Sequence, residues 1–396
     1  MTDFLILFLF LVALAIGFLW GRRGASVKLK RDRIAPVWDQ AYFKGLNLLL
    51  NEQPDAAIDA FIEALEVNSD TLETHLALGN LLRRQGEVDR AIRIHQNLLA
   101  RPGLTTSQQH QAQFELARDY IKAGVFDRAE KLLRELIESS PEIRDVCLEH
   151  LVEIYREEKE WEKAIKAVEH LVGRRFSKVP EKWRNSQAHF CCELAESSLQ
   201  VDDYLSARRY LKSALGYDRN LVRASLIWGR LEKQLGNDKE AIKILKKIPT
   251  QDPDFINETI ELLAQCFERL GDKAGFERYL RQLLEYHPGN SVILALTTLI
   301  QKNQGDIAAA DFIGTQLKSR PSLRGVSRLL DFYLDNSKEQ AKDNLGLLKD
   351  LIDQLLEAKP NYRCVQCGFN GNHLHWLCPS CKSWNTVRAI KGVEGE

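Results

Sequence analysis

The sequence has no surplus of charge of either sign: Lys and Arg together number 55, and so do Asp and Glu. A large nucleic-acid footprint needs a basic face, so this balance argues against that class of partner. Glycine and proline are scarce inside long stretches, while Leu, Ala, Glu, Lys and Arg are plentiful, a mix that favours helices. No H-E-x-x-H, G-x-S-x-G or glycine-rich phosphate loop occurs, and no pair of histidines has metal-ligand spacing next to an acid. An active site of those types is therefore not expected. The even cysteine framework of a small secreted protein is missing too. Cys147, Cys191, Cys192 and Cys266 are scattered at apolar helical positions and read as small core residues. Cys364, Cys367, Cys378 and Cys381 fall within 18 residues of one another.

A long apolar run stands at the start. Phe4 to Trp20 gives 17 residues without a charge, FLILFLFLVALAIGFLW. As a helix it rises about 25 Å, at the short end of what spans a bilayer. Arg22, Arg23, Lys28, Lys30, Arg31 and Arg33 follow, opposed by Asp32 alone, and this bias keeps the downstream side in the cytoplasm. Two other readings compete. Ala13-Leu14-Ala15 looks like a signal-peptide cleavage site, although the basic n-region is missing and five apolar or small residues follow. A buried core helix fits less well, because the run is apolar on every side.

From residue 38 to residue 358 a period close to 34 runs through the chain. Gly45 and Ala57 are repeated by Gly79 and Ala91. The small residue then recurs at Ala129, Ala164, Ala207, Ala241 and Ala310, with Phe276 midway in the last, double step. Gly86, Gly124, Gly236, Gly271 and Gly305 each stand five residues before one of these positions. The pattern predicts helical hairpins. A small residue lets two helices approach, large apolar residues such as Leu48, Phe61, Leu82, Leu133 and Leu211 fill the next layer, and glycine makes the turn. One hairpin cannot bury its apolar stripe alone, so the units must stack. Leu78, Gly79, Leu82, Gly86 and Ala91 resemble the tetratricopeptide repeat, and about nine units are expected. The steps that exceed 34 by four and by nine predict longer loops near Gly103–Ser107 and Gly173–Arg184.

The last segment reads YRCVQCGFNGNHLHWLCPSCKSWNTV. Two C-x-x-C turns separated by ten residues each aim two thiolates at one point, and together they make a tetrahedral site for one iron or zinc ion through Cys364, Cys367, Cys378 and Cys381. His373 and His375 are nearby, but four thiolates already satisfy the ion. The two halves resemble rubredoxin-like knuckles and zinc ribbons. The insert is shorter than in rubredoxins and Lys382 stands where rubredoxins usually keep glycine, and both departures argue against electron transfer. Tyr362, Phe369, Trp376 and Trp384 are too many aromatics for so small a module to bury alone, so it should dock on the final helical pair.

The fold class is thus an all-α, tetratricopeptide-like helical solenoid with an N-terminal transmembrane helix and a C-terminal metal knuckle. The expected divisions are an anchor (1–20), a basic juxtamembrane segment (21–37), the repeat array (38–358) and the knuckle with its tail (359–396). The span followed by Gly21-Arg22-Arg23, the run LGNLLRRQGEVDRAIRIHQNLL and the pair RCVQCGF…WLCPSCKSW resemble the lipopolysaccharide assembly protein B family of Gram-negative inner-membrane proteins. The resemblance covers the whole chain. It implies a non-catalytic adaptor, single-pass in the inner membrane with its N-terminus outside and its bulk cytoplasmic. It also implies regulation of lipopolysaccharide synthesis with two partners: a membrane-anchored AAA+ zinc metalloprotease and, directly or through it, the lipid A deacetylase. Other lipopolysaccharide synthesis or transport proteins and inner-membrane lipid are further implied partners. Two alternatives stay open from the residues. One is a redox protein built on an iron knuckle. The other is a co-chaperone receptor that clamps acidic tails through Lys44, Asn47, Asn80, Arg83 and Arg84.

Overall fold

The computed structural model describes residues 72–100, 102–173, 180–336 and 339–396, together with Asn47, Leu48 and Ala56. The expected membrane span, the basic segment, and Gly45, Ala57 and Phe61 of the first repeat lie outside the described residues. No helix among the described residues is long and apolar enough to cross a membrane. The chain divides into two compact units, one ending at Leu136 and the other running from Ile137 to Glu396.

The first unit contains α1 (Leu72–Gln85), α2 (Val88–Leu99), α3 (Thr106–Ala123) and most of α4 (Phe126–Ser139). In α2 the buried residues Ala91, Ile94, His95 and Leu98 recur at the helical period, which puts one apolar stripe inward. At the start of α3, the Thr105 hydroxyl accepts from the Gln108 N–H at 3.3 Å, and the Thr105 N–H donates to the Gln108 side chain at 3.0 Å. Two otherwise orphaned donors are satisfied by this reciprocal pair. A β-carbon on Gly79 would stand 2.4 Å from Nε2 of His95, so only glycine lets α1 and α2 meet there.

Arg83 is 8% exposed and locked from three sides. It donates to Asp119 at 2.7 Å, to Glu115 at 2.7 Å and to Asn80 at 2.5 Å, while Asp119 also contacts Nδ1 of His95 at 2.5 Å. Burying that guanidinium is tolerable only because two carboxylates meet it. Arg83 is therefore a structural cation, and the tail-clamp alternative loses it as one of its five candidate residues.

The second unit stacks six further hairpins. They are α5 (Arg144–Glu157) with α6 (Trp161–Val172), α7 (Glu181–Gln200) with α8 (Tyr204–Tyr217), and α9 (Val222–Gln234) with α10 (Asp238–Leu245). After the short α11 (Ile248–Gln251) and a 3-10 turn at Pro253–Phe255 come α12 (Asn257–Arg269) with α13 (Lys273–Tyr286). Then follow α14 (Asn290–Gln304) with α15 (Asp306–Ser319), and α16 (Leu323–Asn336) with α17 (Glu339–Glu357). Of the expected longer loops, residues 103–105 of the first are non-helical, and residues 174–179 of the second lie outside the described residues. α3 has 18 residues and α7 has 20, against 14 in α1 and α5, so part of the extra length lies in these first helices.

The hairpin turn is built by one hydrogen bond rather than by one residue type. The residue after the left-handed position donates its N–H back five residues: Glu87 to Leu82, Val125 to Tyr120, Glu160 to Tyr155, Asp203 to Ser198, Asn237 to Glu232 and Asp272 to Phe267. This is the Schellman bond, and it requires a positive φ at the turn residue. Gly124 supplies it at +74°, but Lys159 (+60°) and Asp202 (+58°) stand in the same place in their hairpins. There the repeat pattern skips its glycine while the backbone keeps its shape.

In α2, α4, α6, α8 and α10 the small residue is the fourth of the helix. Ala91, Ala129, Ala164, Ala207 and Ala241 are all fully buried, and Phe276 takes the place in α13. In α15 the buried residue is Ala309, not the expected Ala310. Gly305 there both ends α14 and precedes Asp306, so the turn is one residue shorter and the register moves back by one. Cys147, Cys191, Cys192 and Cys266 are buried as expected. Burial pushes the Cys147 and Cys191 thiols up to about 12, so neither is a reactive nucleophile.

Candidate metal centre

Three short strands carry the knuckle: β1 (Tyr362–Cys364), β2 (Asn370–Gly371) and β3 (Val387–Ala389), antiparallel in the order β2-β1-β3. Each C-x-x-C turn is closed by backbone. The Gly368 N–H donates to the Cys364 carbonyl at 3.0 Å, and the Lys382 N–H donates to the Cys378 carbonyl at 3.0 Å. The Cys364 and Cys378 N–H groups donate in turn to Phe369 and Ser383. The two halves are copies of one turn. Gly368 sits at φ +77° and Lys382 at +54°, so Lys382 replaces a glycine without altering the geometry, at a cost of about 1–2 kcal/mol.

The four sulfurs lie within 4.8 Å of one another. Cys364 and Cys381 are 3.8 Å apart, and Cys367 and Cys378 are 3.6 Å apart. A tetrahedral ion with metal–sulfur bonds of about 2.3 Å requires edges of about 3.8 Å, so the set fits a single ion of that size. The thiols differ in their electrostatics. At Cys364 burial raises the thiol, but the Thr386 side chain and the backbone N–H groups of Cys367 and Gln366 outweigh it and bring it down to about 6. Ser383 holds the Cys381 thiol below its usual range, while burial pushes Cys378 up to about 11. The site is a four-thiolate cradle for one iron or zinc ion. Cys364 and Cys378 are buried, whereas Cys367 is exposed, so the cradle opens to solvent on that side. His375 is not part of it and packs edge-on against Phe369, centroids 5.9 Å apart.

Sequence reasoning placed the cysteines and missed their supports. Thr386 lies 3.3 Å from the Cys364 sulfur and bonds the Ser383 carbonyl, and only the SWNT run after the second turn hints at it. The docking surface is also a correction. The knuckle lies along the first helices of several hairpins, of which only α16 belongs to the final pair. Trp384 stacks on His189 of α7 (centroids 4.5 Å, planes 12°) and meets Phe190 edge-on at 6.1 Å. Trp376 stacks on Phe255 at 5.2 Å. Arg388 pairs with Asp252 at 2.8 Å, Lys391 with Asp254 at 2.6 Å, and the Tyr362 hydroxyl donates to Glu258 at 2.6 Å. The tail reaches farther: Asn290 donates to the Gly395 carbonyl, the Ser291 hydroxyl donates to the Glu396 carboxylate, and the Leu323 N–H donates to the Val393 carbonyl. Two buried rings, His189 and Phe255, and the carboxylates of Asp252, Asp254 and Glu258 meet the knuckle's tryptophans, cations and Tyr362.

His189 is fully buried beneath Trp384, and neither ring nitrogen has a hydrogen-bond partner among the described residues. Burial, reinforced by the Arg223 guanidinium, holds its pKa well below the ordinary 6.5. Arg223 bonds Glu193 and Glu196, each at 2.8 Å, and lies 5.8 Å over the Trp384 ring.

Known proteins match this architecture piece by piece. A rubredoxin metal binding domain matches residues 362–389, and tetratricopeptide repeat models match residues 44–103, 111–142 and 198–266. A tetratricopeptide repeat protein from Parabacteroides merdae aligns at a TM-score of 0.33 and 15% identity, covering 71% of this chain and 99% of that one. Lipopolysaccharide assembly protein B of Escherichia coli strain K12 is 38% identical over 392 residues, spanning 98% of this chain and 99% of that protein. The Haemophilus influenzae protein of the same name is 35% identical over 400 residues, with the same coverage. Likeness at that level over nearly the whole of both chains places this protein in the lipopolysaccharide assembly protein B family.

Proposed function

We propose that this chain is a non-catalytic adaptor in lipopolysaccharide assembly, working from the cytoplasmic face of the inner membrane. The observation that carries the reading is the likeness to lipopolysaccharide assembly protein B over 98% of the chain. Stacked helical hairpins support it, because their extended surfaces suit binding of protein segments. In this reading residues 1–20 anchor the chain with its N-terminus outside, 21–37 are the basic juxtamembrane segment, 38–358 bind partners, and 359–396 form the knuckle and tail. Cys364, Cys367, Cys378 and Cys381 hold a structural ion. Anchoring confines the array to the membrane surface and raises its effective concentration toward other membrane proteins. The partners proposed are the membrane AAA+ protease and, directly or through it, the lipid A deacetylase, whose proteolysis the adaptor promotes. The test is the half-life of the deacetylase in cells. It should lengthen in a strain lacking this protein and return to normal with the intact chain, but not with residues 1–20 deleted. An unchanged half-life in the deletion strain overturns the adaptor reading and leaves scaffolding of the synthesis enzymes in its place.

A further inference from the structure

Within the second unit the second helix of one hairpin seats the first helix of the next, as α13 seats α14 and α15 seats α16. α17 is the second helix of the last hairpin. Its inner face is used: Ile352 is buried, Lys349 reaches Asp331 of α16, and the Ser327 hydroxyl donates to Asp353. The chain beyond it turns into β1 and runs to the knuckle contacts with α7, α9, α12, α14 and α16 described above. The outer face of α17 keeps four leucines half exposed: Leu347 at 62%, Leu348 at 47%, Leu351 at 49% and Leu355 at 53%. Leu347, Leu351 and Leu355 are four residues apart, so they climb one side of the helix, with Leu348 beside them. Terminal units of repeat arrays ordinarily present a polar outer face, so this stripe is an open seat.

The edge of the stripe says what fits. Asp343, Asp350 and Glu357 are all exposed and stand seven residues apart, two helical turns each, so they form an acidic row alongside the leucines. A second α17 packed antiparallel would set that row against itself, and an anionic lipid surface would also be repelled. We propose that the outer face of α17 docks an amphipathic helix of a partner protein, one with an apolar face bordered by a row of Lys or Arg. Leucines supply the contact, and the acidic row sets register and direction, as charged edge positions do in paired helices. This seat stands on α17 alone and does not depend on the lipopolysaccharide reading.

The purified full chain tests it with two synthetic helical peptides. Both carry leucines along one face. One has lysines seven residues apart at the edge of that face, and the other has glutamates in those places. Fluorescence anisotropy should show the lysine peptide binding at least tenfold tighter. Leu351→Glu, at a half-exposed position that leaves the circular dichroism melt unchanged, should weaken it at least tenfold. The triple change Asp343→Lys, Asp350→Lys and Glu357→Lys should invert the preference toward the glutamate peptide, a response that unspecific stickiness cannot produce. Equal affinity for both peptides, or no binding of either, overturns the proposal. So does a concentration-dependent dimer abolished by Leu351→Glu, which would seat a second copy, or binding to anionic vesicles lost in the same variant.

Discussion

Replacing Phe255 with alanine probes the contact that fastens the knuckle to the array. Phe255 is 2% exposed on the 3-10 turn before α12 and packs in the core that includes Val222, Ile256 and Ile260. One face of the ring meets Trp376 of the knuckle at 5.2 Å, with planes 26° apart, and the Arg388 guanidinium lies 4.4 Å from its centroid. A buried Phe→Ala change costs about 3–5 kcal/mol, most of it transfer and cavity energy within the array. The share belonging to the knuckle is the ring pair, about 0.5–1.5 kcal/mol. A double-mutant cycle isolates that share. Phe255→Ala, Trp376→Ala and the double variant are unfolded in urea in the metal-loaded full chain, followed by far-ultraviolet circular dichroism. The coupling energy should fall at about 1 kcal/mol, because removing one ring leaves the other with little to stack on. Phe255→Ala combined with Trp384→Ala is the control: Trp384 stacks on His189 instead, and the two changes should add to within about 0.5 kcal/mol. Strict additivity of Phe255 and Trp376 would refute the docked geometry. Equal coupling in both cycles would refute it too, since general loosening of the knuckle would then explain the effect.

Elemental analysis of the purified chain should find one iron or zinc per molecule, and Cys364→Ser with Cys367→Ser should abolish it. Thiolate sites in small zinc modules contribute roughly 10 kcal/mol or more to folding, so the same variant should become protease-sensitive after Lys359 while the helical signal persists. His189 makes knuckle docking pH-dependent. Its folded pKa lies below the unfolded 6.5, so the fold favours the neutral ring. Stability is therefore full above about pH 6.5 and falls as pH drops below it. In His189→Phe, hydrogen exchange in the knuckle should lose that acid dependence, and an unchanged slope would assign it to another group. At the turns, Lys159→Gly and Asp202→Gly should each raise stability by about 1 kcal/mol, and Gly124→Ala should lower it similarly, measured by thermal melts.

Hairpin positions were legible because they rest on local rules. Helical period, a small residue at the fourth place of most second helices and a Schellman bond across six of the turns act within one hairpin, so they leave marks at a fixed spacing. Where a mark is missing the rule still holds: Lys159 and Asp202 take the left-handed turn because the N–H bonds of Glu160 and Asp203 need it. Composition could not reveal that substitution, and it could not reveal the one-residue register change that buries Ala309. The four cysteines were legible for the same reason, since each C-x-x-C turn is local. The support of the site was not. Tyr362 meets Glu258 across 104 positions and Lys391 meets Asp254 across 137, distances at which no periodicity connects one residue to the other. Whether Arg83 is free for a partner or consumed by Glu115 and Asp119 likewise depends on how α1 and α3 pack. Sequence alone determined that helices would pair and that two thiol turns would share an ion. Tertiary structure decided which cations, rings and carboxylates were spent inside, because burial converts identical side chains into core partners or open surface according to what lies across from them.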